Sequence, residues 1–192
     1  MRTQTLTQAD ANGQWLLDSR DLPQYTVDDW QHWKGQWELI SGVPYSMLPL
    51  PTKIHQRLCL KLADQFLDAL DGCNDCEVHL PVNYRIDQSN LLHPDLLVVC
   101  EDPEPDDIYL DKTPSLVVEV LSSNKHKDRV VKKRIYAAQG IKYFVTIDQD
   151  PRTVEVYELI KGKYKLVFED IKDSFIFEFG MCSAEIDFSK IW

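Results

Sequence analysis

The sequence predicts a mixed α/β domain in which helices flank a central β-sheet. Two dense apolar runs, Leu96–Val99 and Leu116–Leu121, have the continuous composition of strands that are buried on both faces. Between Pro51 and Leu70, apolar residues recur every three or four positions, which is the spacing of one helical face. Because helical and strand periodicities alternate along the chain, the sequence favours a mixed sheet covered by helices.

Length and composition fit one domain. The chain has 192 residues, 44% of them hydrophobic, which is enough to bury one substantial core. We expect residues 1–25 to form a polar N-terminal extension and residues 26–192 to form a single domain. Residues 1–14 contain no apolar run of the kind that an export signal or a membrane span needs, so we expect a soluble, cytoplasmic protein.

The charge of the chain excludes one class of function. A formal net charge of -10 does not suit a protein that coats nucleic acid with its whole surface, because binding to phosphates needs positive charge. Any contact with nucleic acid must therefore use a local patch. One stretch is rich enough in basic residues to form such a patch, although an ordinary solvated helix face has the same composition. Its basic residues are Lys125, Lys127, Arg129, Lys132, Lys133 and Arg134.

Local signals predict the first elements of the fold. Residues Thr26–Asp29 have the capping-box pattern that starts a helix. Two apolar segments on either side of Ser41-Gly42, Trp37–Ile40 and Val43–Leu48, predict a β-hairpin. Because Pro44 lacks a backbone N–H, the second of these strands should lie at a sheet edge or begin late.

The second half of the chain predicts another helix and more strands. Val131, Ile135 and Ala138 form the apolar stripe of the expected helix. It should end at Gly140. The Pro- and Asp-rich segment Glu101–Lys112 predicts an exposed loop. Further strands are predicted at Glu77–Ile86, Tyr143–Ile147 and Val154–Tyr157.

The cysteines indicate free thiols. There are five, an odd number with uneven spacing, and a chain without an export signal is not expected to carry a disulfide framework. Cys73 and Cys76, followed by His79, have the spacing of half a zinc site. No second pair of ligands at a suitable spacing completes it in the sequence, so a loop with two free thiols is the alternative.

Two carboxylates stand on the strands that we expect to be buried. Asp95 follows Pro94 at the start of one strand, and Glu119 lies within the other. Since side chains alternate along a strand, Glu119 points to the same face as Val117 and Leu121. A charge buried there costs several kcal/mol unless it is paired. A salt bridge to a core Arg or Lys would satisfy it for structural reasons alone.

A shared metal ion is the functional alternative for the two acids. Magnesium, or manganese, prefers oxygen ligands and retains several water molecules. Asp95, Glu119 and the backbone carbonyl of Val120 would therefore suffice as protein ligands. Such an ion can polarise a phosphodiester and lower the pKa of a bound water.

The predicted second helix supplies a cation for the same chemistry. Asp128, Lys132 and Tyr136 are four residues apart and so lie along one face. Lys132 can then reach inward and stabilise negative charge that develops at phosphorus. Arg129 and Lys133 should point outward. A solvated lysine on the helix surface is the alternative for Lys132.

Several segments, in their order and spacing, resemble a known family. They are Trp37–Gly42, His55, His93-Pro94-Asp95, Leu116–Ser122, Asp128–Tyr136 and Gly140–Asp148. Together they resemble the Uma family of restriction endonuclease-like proteins, over most of the chain. The resemblance implies the PD-(D/E)XK nuclease fold, with a restriction endonuclease-like core and a central mixed β-sheet flanked by helices.

The resemblance also implies roles for individual residues. It makes Asp95 the first acid of the motif and Glu119 the second. Leu121 stands where the motif has its lysine, and the resemblance implies that Lys132 takes over that role. Further residues implied to line the same cleft are Glu38, His55 and Asp128. For His55, a hydrogen-bonded core histidine is the alternative.

These expectations define a leading function and two alternatives. The leading function is a Mg²⁺-dependent endonuclease that hydrolyses DNA, and the resemblance implies a homodimer. The first alternative is a catalytically inactive nuclease fold that binds nucleic acid or a protein partner. The second is a glycosidase, whose two carboxyl groups would stand at least about 5 Å apart. A Lys132 that points toward the carboxylates favours catalysis, and one that points to solvent favours the binding protein.

Overall fold

The structure, a computed structural model, describes residues 8–9, 15–16, 22–48, 50–100, 108–121 and 127–192. The chain divides into two compact units. The first comprises residues 1–48 and 85–92, and the second comprises residues 49–84 and 93–192. The predicted limits of the extension and the domain, 1–25 and 26–192, remain a prediction.

The helices and strands have the following bounds. In chain order the strands are β1 (Gln8–Ala9), β2 (Trp15–Leu16), β3 (Trp37–Ile40), β4 (Val43–Ser46), β5 (Cys76–His79), β6 (Asn83–Asp87), β7 (Asn90–Leu92), β8 (Leu96–Cys100), β9 (Tyr109–Leu110), β10 (Leu116–Val120), β11 (Tyr143–Gln149), β12 (Arg152–Ile160), β13 (Lys163–Glu169), β14 (Ser174–Phe179) and β15 (Cys182–Asp187). The helices are α1 (Val27–Trp30), α2 (Lys53–Ala69) and α3 (Lys133–Ala138). A π-helical segment, Lys127–Lys132, leads directly into α3, and a 3₁₀ turn, Phe188–Lys190, follows β15.

A capping box starts helix α1 in the first unit, as predicted. The Thr26 hydroxyl accepts a hydrogen bond from the Asp29 N–H at 3.3 Å, and the Asp29 carboxylate accepts one from the Thr26 N–H at 2.8 Å. These bonds satisfy N–H groups that a helix start leaves without partners. The short helix α1 therefore begins where the sequence predicts.

A hairpin follows α1 in the first unit. Strands β3 and β4 pair antiparallel across Ser41 and Gly42, whose φ angles of 50° and 74° are those of a tight hairpin turn. On its other side β3 pairs with β7, so β4 lies at the edge, as Pro44 predicts.

The second unit is built on a six-stranded mixed sheet. Its strand order is β13-β12-β11-β10-β8-β5, in which β10 and β11 are parallel and the other neighbours are antiparallel. All five residues of β10 are buried, and so are the first four of β8. The two dense apolar runs are therefore central strands, and the predicted mixed α/β fold is confirmed.

One face of this sheet carries the main apolar core. Helix α2 starts at its N-cap Thr52 and buries Leu58, Leu62 and Phe66 against that face. Phe177 and Ile186, from the β14–β15 hairpin, belong to the same core. Each fully buried Leu or Phe stabilises the fold by about 1.5–3 kcal/mol relative to exposure. Apolar burial therefore fixes the position of α2, which carries His55 and Cys59.

Two stretches differ from the predicted strand and loop. The single strand expected at Glu77–Ile86 is two strands, β5 and β6, separated by residues 80–82. Pro81 lies in that break and lacks the N–H that a continued strand would need. Of the loop expected at Glu101–Lys112, residues 101–107 lie outside the described part, and residues 109–110 form β9, which pairs with β6.

The helix at residues 127–138 exists as predicted but buries a different face. Asp128, Lys132 and Tyr136 are buried, whereas Val131 and Ile135 are only partly buried and Ala138 is exposed. The apolar stripe therefore does not face the sheet. The cause is a buried carboxylate on β10, which provides a partner for polar side chains of this helix.

The cysteines contradict the prediction of reduced thiols. Cys73 is disulfide-bonded to Cys182, and Cys76 is disulfide-bonded to Cys100. Cys76 and Cys100 are directly opposed on β5 and β8, a register that cysteine spacing in the sequence does not reveal. The half zinc site and its alternative, a loop with two free thiols, are therefore both wrong. Cys59 is the one cysteine that remains free.

Among the described residues, no helix has both the length and the apolarity needed to cross a bilayer.

Candidate functional site

A buried carboxylate on the central strand is the middle of the candidate site. Glu119 is 3% exposed, and it lies between Val118 and Val120, which belong to the core on the other face of the sheet. Its neighbour across the parallel pair is Thr146 on β11. A carboxylate in this position needs partners, because a buried ion without them costs several kcal/mol.

The helix at residues 127–138 provides those partners. The Lys132 ammonium donates to both carboxylate oxygens of Glu119, at 3.0 and 3.1 Å. The Tyr136 hydroxyl donates to Oε1 of Glu119 at 2.6 Å. Asp128, one helical turn before Lys132, has its Oδ1 3.7 Å from the same ammonium. The positive charge of Lys132 is thus fixed between two buried carboxylates.

A second carboxylate stands beside this network at the start of β8. Oδ2 of Asp95 accepts a hydrogen bond from the backbone N–H of Val120, the residue after Glu119, at 2.8 Å. The same oxygen lies 3.2 Å from Nε2 of His55. Among the described residues, Oδ1 of Asp95 has no hydrogen-bond donor, and the side chain keeps 15% of its surface exposed. Asp95 therefore retains an oxygen for a ligand.

His55 joins α2 to this carboxylate. Its Nδ1 lies 3.6 Å from Sγ of Cys59, one turn further along the helix. Burial is the largest single effect on the pKa of His55 and lowers it, but several opposing effects outweigh it. The hydrogen bond and charge of Asp95, a hydrogen bond to the backbone of Val120 and the charge of Asp128 together raise the pKa above its ordinary value.

Cys59 lies one helical turn after His55 on α2. Burial, and then the negative charges of Asp95 and Glu119, raise the pKa of its thiol. Ligand atoms of His55, Cys59 and Asp95 all lie within 4.8 Å of one another. The site thus brings an imidazole, a thiol and a carboxylate together beside the Glu119 network.

A further polar cluster lies on the Glu119 face of the sheet. Arg129 contacts Asp148 and Glu155, each at 3.4 Å, and Glu155 also accepts a hydrogen bond from Thr146. The Lys133 ammonium lies 3.0 Å from the centre of the Tyr157 ring. Burial and the charge of Glu155 raise the pKa of Tyr157 to about 12. Arg129 and Lys133 therefore pack on the sheet, although they were expected to point outward.

The predicted site residues fall into two groups. The structure brings Glu119, Lys132 and Asp128 together, and it brings Asp95, His55 and the Val120 backbone together. Glu38 lies in the first unit, on β3, where its side chain is buried. Lys125 of the basic stretch lies outside the described residues.

One neighbour of the site, Cys59, was not predicted, although it stands four residues after His55 on the same helical face. Tyr136 was placed on the face of Asp128 and Lys132 but was given no role in the site. The alternative that Lys132 is a solvated helix lysine is wrong, because it is 3% exposed. A salt bridge to a core Arg or Lys was the structural alternative for Glu119, and such a bridge is present to Lys132. Geometry alone therefore fits both a catalytic and a structural role, and the catalytic roles remain a prediction.

Comparisons with known proteins agree with the fold. A family model described as "Uma2: Putative restriction endonuclease" matches residues 22–174. A crystal structure of a putative nuclease belonging to DUF820, from Anabaena variabilis ATCC 29413, is similar with a TM-score of 0.68. It is 16% identical in sequence, and the match covers 86% of this chain and 96% of that chain. No curated protein matches the chain. Because the family model spans most of its length, the chain belongs to the Uma2 family of putative restriction endonucleases.

Proposed function

We propose that the protein is a metal-dependent endonuclease that hydrolyses phosphodiester bonds in DNA. The observation that carries the proposal is the buried Lys132 ammonium, which donates to both carboxylate oxygens of Glu119. The next residue, Val120, donates its backbone N–H to Asp95, so the lysine and the two acids lie close together. An acid, a second acid and a lysine in this order are the parts of the PD-(D/E)XK motif. Leu121, at the usual lysine position, is buried, and Lys132 supplies the ammonium from the helix instead.

The residues present fit a divalent cation. Asp95 keeps one carboxylate oxygen without a hydrogen bond among the described residues, and Val120 is close enough for its backbone to bond to His55. Asp95, Glu119 and the Val120 carbonyl would hold the ion, with magnesium or manganese as the first candidates. When bound, such a cation would polarise the phosphodiester and acidify a water molecule.

The chain's own residues would orient the substrate and stabilise charge. The Lys132 ammonium is fixed in a buried position, where its charge acts through a lower dielectric constant than in water. It can therefore stabilise negative charge on a phosphoryl oxygen without reorganising first. Tyr136 donates to Glu119 and fixes the orientation of that carboxylate. Asp128 contributes a second negative charge that holds the ammonium in place.

One observation favours a second candidate, a nuclease fold that binds nucleic acid or a protein without cleaving it. Both oxygens of Glu119 are already bonded to Lys132, and Oε1 also accepts from Tyr136, so the network is satisfied without a ligand. The family and the fold give a glycosidase no comparable support.

Cleavage of plasmid and single-stranded DNA with magnesium or manganese tests the proposal. We expect cutting by the wild type, and a loss of at least about 100-fold in Asp95→Asn and in Lys132→Met, since both groups act on the reacting phosphate. Lys133→Met is the matched control, because its ammonium packs on Tyr157 and not on Glu119. Equal cutting by all four proteins would indicate a contaminating nuclease and reject the proposal. Folded wild type without cleavage that still retains DNA would support the binding protein.

The predicted homodimer and cytoplasmic location belong to the same proposal. Two disulfides are uncommon in proteins of a reducing compartment, so the location needs a direct test. Cell fractionation and light scattering of the purified protein would test the two predictions separately.

A further inference from the structure

We propose that His55, Cys59 and Asp95 form a binding site for a divalent transition-metal ion of the zinc class. The inference goes beyond the proposed function, because this site shares Asp95 with the proposed magnesium or manganese site but takes its other ligands from α2. It differs from the magnesium site expected from the sequence, because two of the three ligands are not oxygen atoms.

The geometry of α2 brings two of the ligands together. His55 and Cys59 are four residues apart and therefore project from the same helical face. Asp95 reaches the same point from the start of β8, and its Oδ2 lies 3.2 Å from Nε2 of His55. One ligand atom from each residue lies within 4.8 Å of the other two.

The donor set favours a transition metal over magnesium. Magnesium binds almost entirely to oxygen in a near-octahedral arrangement, and a thiolate is a poor ligand for it. Zinc and its neighbours bind thiolate, imidazole and carboxylate together, often with three protein ligands and one open position for water. The side chains of His55 and Asp95 keep 12% and 15% of their surface exposed, so solvent can reach that fourth position.

The surroundings of the cluster resemble the outer partners of known metal ligands. Metal-bound histidines usually donate their second ring N–H to a carboxylate or a backbone carbonyl, and ligating carboxylates accept further hydrogen bonds. Here the backbone N–H of Val120 donates to Asp95, so β10 orients one of the three ligands.

The state of the cysteines is an independent observation. The other four cysteines of the chain form two disulfides, and the one that stays reduced is the one beside a histidine and an aspartate. The alternative explanation is that Cys59 acts only as a small apolar residue of the core. A cysteine with that role alone would not need a histidine and an aspartate beside it.

Cobalt binding tests the site without depending on activity. Titration of the full, metal-stripped chain with Co²⁺ should give a thiolate-to-cobalt charge-transfer band that saturates at one equivalent. Cys59→Ser should abolish that band, and Asp95→Asn and His55→Ala should weaken binding by at least about tenfold. His79→Ala is the matched control, because His79 lies outside the cluster beside Glu77. Cys59→Ala provides a second variant that adds no hydroxyl to the core, and circular dichroism verifies folding in each case.

The outcomes separate this inference from the proposed function. If the folded wild type gives no thiolate band, or if Cys59→Ser and Cys59→Ala both keep it, the inference is wrong. DNA cleavage with magnesium that both variants retain, together with no thiolate band, would reject the inference and leave the nuclease standing. A thiolate band that both variants lose, without DNA cleavage under any metal, would support the inference and reject the nuclease.

Discussion

Two helices deliver side chains to the candidate site, and different forces hold them on the sheet. Helix α2 buries Leu58, Leu62 and Phe66 in the main core, and it carries His55 at its first turn. The helix at residues 127–138 buries Asp128, Lys132 and Tyr136 instead, and Lys132 and Tyr136 donate hydrogen bonds to Glu119 on β10. One helix is therefore held by apolar area and the other by a charge network.

The two kinds of contact differ in how strictly they depend on the position of their partners. An apolar contact is nearly insensitive to the orientation of its partners, whereas a buried ion pair stabilises only when every partner is in place. A buried ion pair often contributes less than a well-packed apolar group of the same volume. A polar helix face in this position is thus weak evidence for stability.

The largest effect should follow from removing one partner of the ion pair. In Lys132→Met, Glu119 stays buried beside Asp128 without the ammonium, so we expect the free energy of unfolding to fall by about 4 kcal/mol. Denaturant unfolding measures this loss. Adding Glu119→Gln to the same chain should recover a large part of it, because the uncompensated charge is then gone. A double variant no more stable than Lys132→Met would contradict the proposed charge network.

Truncating a buried apolar side chain of α2 should lower the free energy of unfolding somewhat less. Neutralising a charge elsewhere should not restore that loss. Leu62 is 1% exposed, so Leu62→Ala leaves a cavity in the core. We expect the free energy of unfolding to fall by about 3 kcal/mol. Combined with Lys132→Met, the two losses should add to within about 0.5 kcal/mol, since they affect opposite faces of the sheet. A large departure from additivity would show that the two helices are coupled through β10.

The two helices also mark what the sequence can and cannot predict. The bounds of α2, the strands β8 and β10 and the turn at Ser41-Gly42 follow from local patterns, and the structure has them all. Asp95 and Glu119 were found because a carboxylate on an apolar strand needs an explanation. The apolar stripe of residues 127–138 was predicted wrongly, since Val131 and Ile135 are only partly buried, whereas Lys132 points inward to Glu119 as expected.

The two disulfides and the neighbours of Cys59 could not be predicted from the sequence for the same reason. Cys73 and Cys182 are 109 residues apart in the chain, and no local pattern pairs them. Cys59 approaches Asp95 only when α2 packs on the sheet. Contacts of this kind depend on register and packing, so a single sequence indicates candidate residues and leaves their pairing open.

A smaller effect should follow from loosening the charge network without breaking it. Tyr136→Phe removes one hydrogen bond to the Glu119 carboxylate and leaves Lys132 in place. We expect a loss of about 2 kcal/mol, as for hydrogen bonds to charged groups. If Tyr136 also orients Glu119 for catalysis, kcat should fall while the KM for DNA stays the same. Unchanged stability would mean that water replaces the hydroxyl, and the tyrosine would then belong to the packing of α3 alone.

The smallest effect concerns α1, whose start depends on a local signal rather than on the sheet. The backbone N–H and then the hydroxyl of Thr26 lower the pKa of Asp29, while burial raises it slightly and the charge of His32 lowers it further. Because the folded-state pKa is lowered, the stabilisation is present above the unfolded-state pKa and is lost as the pH falls through the folded-state pKa. Thr26→Ala should raise the pKa of Asp29 toward its ordinary value, as measured by carboxyl NMR titration, while the stability at acidic pH changes little. Thr26→Ser keeps the hydroxyl and serves as the control. If the pKa of Asp29 stays low in Thr26→Ala, the backbone N–H of residue 26 alone lowers it, and the hydroxyl has no role in the cap.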